Sequence, residues 1–153
     1  MELFSTRAVL DEYARVARQP PDRRSLQLLG EELDRATGGN WVLDACERRF
    51  PAATMVVIDS VRTLEQLTGF TTRFKNIHIH VSAPVGVLAA RYEERRRTAP
   101  ELELESFEAV RANPTEAAIE GMAPSADLVL DTSVITPREM VLRASETVST
   151  LLD

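Results

Sequence analysis

Three short stretches hold the residues best suited to chemistry. The first is Val57-Ile58-Asp59-Ser60-Val61-Arg62, where an apolar, β-branched run ends in a carboxylate and an arginine. A carboxylate at the C-terminal end of a buried parallel strand stands on the edge where α/β proteins bind ligands. There Asp59 can hold a magnesium-bound water or accept a hydrogen bond from a substrate. Arg62 can grip a phosphate through its bidentate fork. The competing reading makes Asp59 a helix cap and Arg62 a solvated surface residue. The second stretch holds Arg91, Arg95, Arg96 and Arg97. Arg91 and Arg95 are four apart and share a helical face. Such a cluster can close over phosphates, because phosphoryl transfer needs positive charge around the moving group. It can equally be a solvated helix salted by Glu93 and Glu94. The third is Phe4-Ser5-Thr6-Arg7, whose hydroxyls and arginine at a helix start suit an anion or serve as ordinary caps.

Other candidates are weaker. His78 and His80 share a strand face at period two, but no carboxylate or cysteine motif accompanies them as a metal set would require. They read as packed or edge histidines. Cys46 reads as a small core residue and Trp41 as packing. Leu102 and Leu104, set among acidic residues, read as the lead-in to a helix.

The elements that must position these residues alternate between helical and short extended patterns, which predicts a single α/β domain over residues 1–153. Glu2-Leu3-Phe4 is a short extended start. Ser5 or Thr6 caps a helix to about Arg18, which Gln19-Pro20-Pro21 ends. Asp22 or Ser25 starts the next helix, with Leu26, Leu29 and Leu33 on one face, and Gly38-Gly39 stops it. Asn40 is the expected cap of a third helix to about Arg49. Residues 55–59 read as a strand buried on both faces, 77–81 as a second and 128–130 as a third. Pro84 opens a helix to about Arg97, and Thr98-Ala99-Pro100 breaks it. Residues 104–112 are expected to be helical. Asn113-Pro114-Thr115-Glu116 and Thr136-Pro137-Arg138-Glu139 each carry a helix-start pattern.

Composition narrows the function classes. The chain has 153 residues, 44% hydrophobic and 27% charged, with 18 basic and 24 acidic residues for a net charge of −6. A chain this long can bury a sizeable core. The acidic balance argues against a nucleic-acid-coating role, while leaving room for a local arginine pocket. One cysteine excludes an internal disulfide framework and a multi-cysteine metal site. No apolar run approaches membrane-spanning length, and no secretory signal is recognisable. The expected location is cytoplasmic, with neither nucleic acid nor membrane as a partner.

The order of the segments is more specific than any one of them. FSTRAVL, RRSLQLLGEEL, MVVIDSVRTLEQL, IHIHVSAPVGVLAARYEERR and SADLVLDTS together resemble the nucleoside and nucleotide kinase branch of the P-loop NTPases. The likeness extends to deoxynucleotide monophosphate kinases and dephospho-CoA kinase-like proteins, over most of residues 2–152. It implies a three-layer α/β fold, a parallel sheet with helices on both faces. It implies that Ser5, Arg7 and Arg62 bind a nucleotide-like acceptor and that Asp59, Arg91 and Arg95 act in catalysis. Arg96 and Arg97 would complete a lid, and Thr132 and Ser133 would lie near the donor base. Asp11 departs from the pattern, standing where many relatives have an arginine.

The largest departure is the lack of GxxxxGK[ST], the loop that cradles donor phosphates. ATP and magnesium are therefore implied only if another segment or chain supplies that loop. Otherwise the expectation is a catalytically inactive nucleotide-binding or assembly module. In the resembled fold the missing first strand lies between the 55–59 and 77–82 strands. Leaving buried strand edges unpaired costs about 1–3 kcal/mol per orphaned group, against a total stability of about 5–15 kcal/mol. The two strands are thus expected to pair directly, or to be bridged by another segment or a partner chain, a swapped homo-oligomer being one route.

Overall fold

The structure is a computed structural model that describes residues 1–20, 22–99 and 105–152. Pro21, Pro100, Leu102 and Leu104 lie outside the described residues. The class is α/β, as the alternating pattern predicts. The chain divides into two compact units, Met1–Lys75 and Asn76–Asp153.

The first unit begins with β1 (Glu2–Ser5) and passes directly into α1 (Thr6–Val16). Ser5 is the cap, its Oγ accepting from the Ala8 N–H at 3.4 Å. Asp22 caps α2 (Arg23–Thr37), its carboxylate accepting from the Ser25 N–H at 3.0 Å and from the Ser25 hydroxyl at 2.7 Å. Next come α3 (Asn40–Arg49), β2 (Val56–Asp59) and α4 (Leu64–Arg73). β1 and β2 run parallel, with Phe4 opposite Ile58 and Ser5 opposite Asp59. Phe4 and Val42 are among the largest fully buried side chains. They anchor a core that also takes Val9, Trp41, Leu43, Ala45, Cys46 and Phe70.

One expected cap, and the competing reading of Asp59 as a cap, are corrected. Asn40 does not cap α3: Gly39 occupies that position, and the Asn40 amide instead donates to the Thr37 carbonyl at 3.2 Å. A glycine is needed there because φ is +81° and a Cβ would lie 2.7 Å from the Gln66 nitrogen in the backbone of α4. Asp59 does not cap the helix that follows it: Thr63 does, accepting from the Gln66 N–H at 3.3 Å.

The second unit holds β3 (Ile79–Ser82), α5 (Val85–Thr98), α6 (Phe107–Arg111), α7 (Pro114–Met122), β4 (Leu128–Asp131) and α8 (Pro137–Leu152). The helix expected over 104–112 begins only at Phe107, because Ser106 caps it through the Ala109 N–H at 3.2 Å. Asn113 caps α7 with Pro114 in the first turn, as its pattern predicts. Thr136 and Glu139 form the expected reciprocal box before α8: the carboxylate accepts from the Thr136 N–H at 2.7 Å and the threonine hydroxyl from the Glu139 N–H at 3.2 Å. β3 and β4 are parallel, with Ser82 opposite Asp131.

Direct pairing of the 55–59 and 77–82 strands does not occur. β2 pairs with β1 and β3 with β4, and among the described residues each sheet stops at two strands. The register within each pair satisfies one edge of each strand and leaves the other without a strand partner. The 55–59 strand is not buried on both faces as expected: with only one strand partner and no second covering layer among the described residues, Met55 and Val57 stay open to solvent, as do Leu3, Val81 and Val129 on the other strands.

The tight α3–α4 approach yields a test of the packing. Gly39→Ala is expected to destabilise the chain by about 1–3 kcal/mol, because it adds left-handed strain and drives a methyl group into the α4 backbone. Denaturant unfolding monitored by Trp41 fluorescence reads this directly, and an unchanged midpoint would contradict it.

Candidate functional site

Register brings the first group of candidate residues together. Ser5 and Asp59 face each other at the C-terminal ends of the parallel β1–β2 pair. Arg7 follows in the first turn of α1, and Arg62 follows β2 by three residues. Arg7 and Asp11 sit one turn apart on α1, their charged groups 3.9 Å apart. Asp59, Arg7 and Arg62 are exposed and Ser5 is half-buried. This is the carboxyl edge of a parallel pair, with a hydroxyl and a carboxylate in register and an arginine on each outgoing segment.

The connection after Asp59 has a fixed shape. Ser60 adopts φ +68°, a left-handed conformation unusual for a residue with a side chain. Thr6, only 4% exposed, shares its hydroxyl proton between the carbonyls of Asp59 at 3.2 Å and Ser60 at 3.0 Å. Its hydroxyl is thus committed to the backbone of this connection and does not point to an anion. On the far side, the Gln66 side-chain carbonyl accepts from the Arg62 N–H at 2.9 Å. The Gln66 amide nitrogen donates to Asp34 at 2.8 Å, and the Trp41 indole N–H donates to the same carboxylate oxygen at 2.7 Å. Trp41 therefore does more than fill space. Gln66 and Asp34 are functional candidates missed in the sequence. A signal was present: Thr63-Leu64-Glu65-Gln66 fits the capping-box pattern, although its glutamine reaches Arg62 and not the cap residue's own N–H.

The second group gathers around a cleft of about 620 Å³ in the second unit. Ser82, Arg91 and Thr132 stand on its polar side, while Leu88, Phe107 and Met140 contribute to its apolar wall. Arg91 donates through both terminal nitrogens to Thr132, at 2.7 Å to the hydroxyl and 2.8 Å to the carbonyl. The Thr132 hydroxyl in turn donates to the Ser82 carbonyl at 3.0 Å. Ser133 turns away to Asp131, its hydroxyl and N–H donating to one carboxylate oxygen at 2.6 and 2.8 Å. These Ser133 bonds, with the nearby Arg91 charge, hold the Asp131 carboxyl below the ordinary carboxylate range.

The remaining arginines of α5 do not line this cleft. Arg96 pairs with Glu93 at 3.5 Å and Arg97 with Glu94, all on their own helix. Arg95 stacks over the Tyr92 ring, 5.8 Å from its centre. His78 and His80 meet edge to face at 5.9 Å. Burial, and secondarily the His78 charge, keep buried His80 below the ordinary imidazole value. Cys46 is buried, and desolvation raises its thiol above the ordinary value.

The hydroxyls of Thr132 and Ser133 are both engaged within the chain. Among the described residues no three His, Cys, Asp or Glu side chains form a group able to hold a metal ion. No described helix is long and apolar enough to cross a membrane. No family model, curated protein or solved structure matches the chain.

The Asp131 turn makes a titration testable. Its folded value lies below the ordinary 3.8. Its contribution to stability is therefore present above that pH and is lost as the pH falls through the folded value. Ser133→Ala removes the largest cause and is expected to move the Asp131 titration upward towards 3.8 in a carboxyl-carbon NMR experiment. A titration that stays in place would show that the hydroxyl has no such influence.

Proposed function

We propose that this chain carries the acceptor-binding portion and the arginine-bearing helix of a nucleotide or nucleoside kinase-like phosphotransferase. In this reading the donor loop, with ATP and magnesium, comes from another segment or a partner chain. The observation that carries the reading is the Ser5–Asp59 register, which sets a hydroxyl and a carboxylate side by side at the carboxyl edge of a parallel pair. Arg7 and Arg62 follow immediately on the two outgoing segments. That is the edge on which α/β folds hold ligands, and two guanidinium groups suit a phosphate.

Two further observations support it. The cleft beside Arg91 and Thr132 falls within the size range of small-molecule sites. The strands also retain open edges and exposed apolar residues, which a further strand and helix would cover to give a three-layer sheet. In this reading Thr132 and Ser133 serve the donor base, Arg91 and Arg95 serve catalysis, and Arg96 and Arg97 complete the lid.

A second reading is a nucleotide-binding or assembly module without catalysis. It is favoured by the lack of GxxxxGK[ST] anywhere in the 153 residues.

Calorimetry with the common ribo- and deoxyribonucleoside monophosphates tests the acceptor site that the kinase reading and the nucleotide-binding module share. One monophosphate is expected to bind the chain without magnesium. Arg7→Ala and Arg62→Ala are each expected to weaken it about tenfold, the loss of a charge-assisted hydrogen bond of about 1.5 kcal/mol or more. A chain that binds none of them overturns the proposal. Phosphate transfer to the bound nucleotide, once a protein bearing a GxxxxGK[ST] loop is added, separates the enzyme from the inactive module.

A further inference from the structure

Among the described residues, three polar side chains are buried: Thr6, Gln66 and His80. Thr6 and Gln66 serve the same four residues, 59–62. The Thr6 hydroxyl holds the carbonyls of Asp59 and Ser60 from the α1 side. Gln66 holds the N–H of Arg62 from the α4 side. Burying a polar side chain is costly unless it is bonded, and this connection satisfies the Thr6 hydroxyl and the Gln66 carbonyl.

The Gln66 amide is also fixed in orientation. Its carbonyl must face the Arg62 N–H, because its nitrogen faces the Asp34 carboxylate at 2.8 Å. Asp34 is in turn pinned by the Trp41 indole at 2.7 Å. The result is a chain of bonds from α2 and α3, through α4, to the backbone at Arg62. It ends two residues past the point where Ser60 is kept at positive φ.

We infer that Gln66 and Thr6 are positioning residues that set the backbone of the 59–62 connection for gripping a substrate phosphate. The inference rests on the acceptor-site reading above and adds how that site is preorganised. Neither side chain touches the ligand. Thr6 sets where Asp59 leaves the strand, and Gln66 sets where the Arg62 side chain begins. Binding through a charged fork depends on that origin, whereas contacts to a nucleoside body do not.

The test uses Gln66→Met and the near-isosteric Thr6→Val, so that a folding failure in one leaves the other to decide. The monophosphate that binds the unaltered chain and its parent nucleoside are both titrated. Each variant is expected to lose about tenfold in monophosphate affinity and less than about twofold for the nucleoside. In Gln66→Met the Arg62 amide is also expected to exchange with solvent faster by NMR. An equal loss for both ligands means a merely structural role and overturns the inference, as does no loss at all, while the acceptor-site reading survives either result. If the unaltered chain binds no monophosphate, that reading fails and this inference fails with it.

Discussion

A parallel strand cannot satisfy its backbone alone. Its N–H and C=O groups point to both sides, and each side needs a neighbour. Most of what is distinctive in this chain follows from how far that demand is met. β1 and β2 meet it on one side, and their register sets Ser5 beside Asp59. β3 and β4 meet it in the same way, and their register sets Ser82 beside Asp131. From there Thr132 bonds back to Ser82 and receives Arg91. In both units the residues with chemical potential lie where a parallel pair ends, because that is where the pairing releases the chain into a loop.

The two ends are built differently. After β2 the loop is held by neutral side chains from the protein interior, Thr6 and Gln66. After β4 it is held by its own residues and by charge: Thr132 bonds to Ser82, Ser133 folds back on Asp131, and Arg91 spans the gap from α5. Interior bonds in a low-dielectric setting are rigid and insensitive to salt. Exposed charged contacts are weaker and screened. Salt therefore acts on the second end through its Arg91 and Asp131 contacts, and has no such charged contact to act on in the Thr6 and Gln66 bonds of the first.

Much of this organisation was legible in the residues. The β-branched run before Asp59, the proline-led helix starts and the glycine pair after α2 each reflect a local rule, and each was found close to its expected place. Local rules fail where a distant segment decides. Asn40 is a good cap by type, yet the close approach of α4 demands a glycine and moves the cap to Gly39. The four arginines of α5 look alike in sequence, but only Arg91 reaches Thr132, while Arg96 and Arg97 close on glutamates three residues away. The Gln66–Asp34 bond joins residues 32 apart, and no local pattern announces it.

Cys46 sits within the same core as Phe4 and Trp41, with its thiol held protonated by desolvation. A protonated, enclosed sulfur is a poor nucleophile. Enclosure slows an alkylating reagent at this sulfur relative to an exposed cysteine. Thiol labelling of Cys46 thus reads out how readily the core around Phe4 and Trp41 loosens.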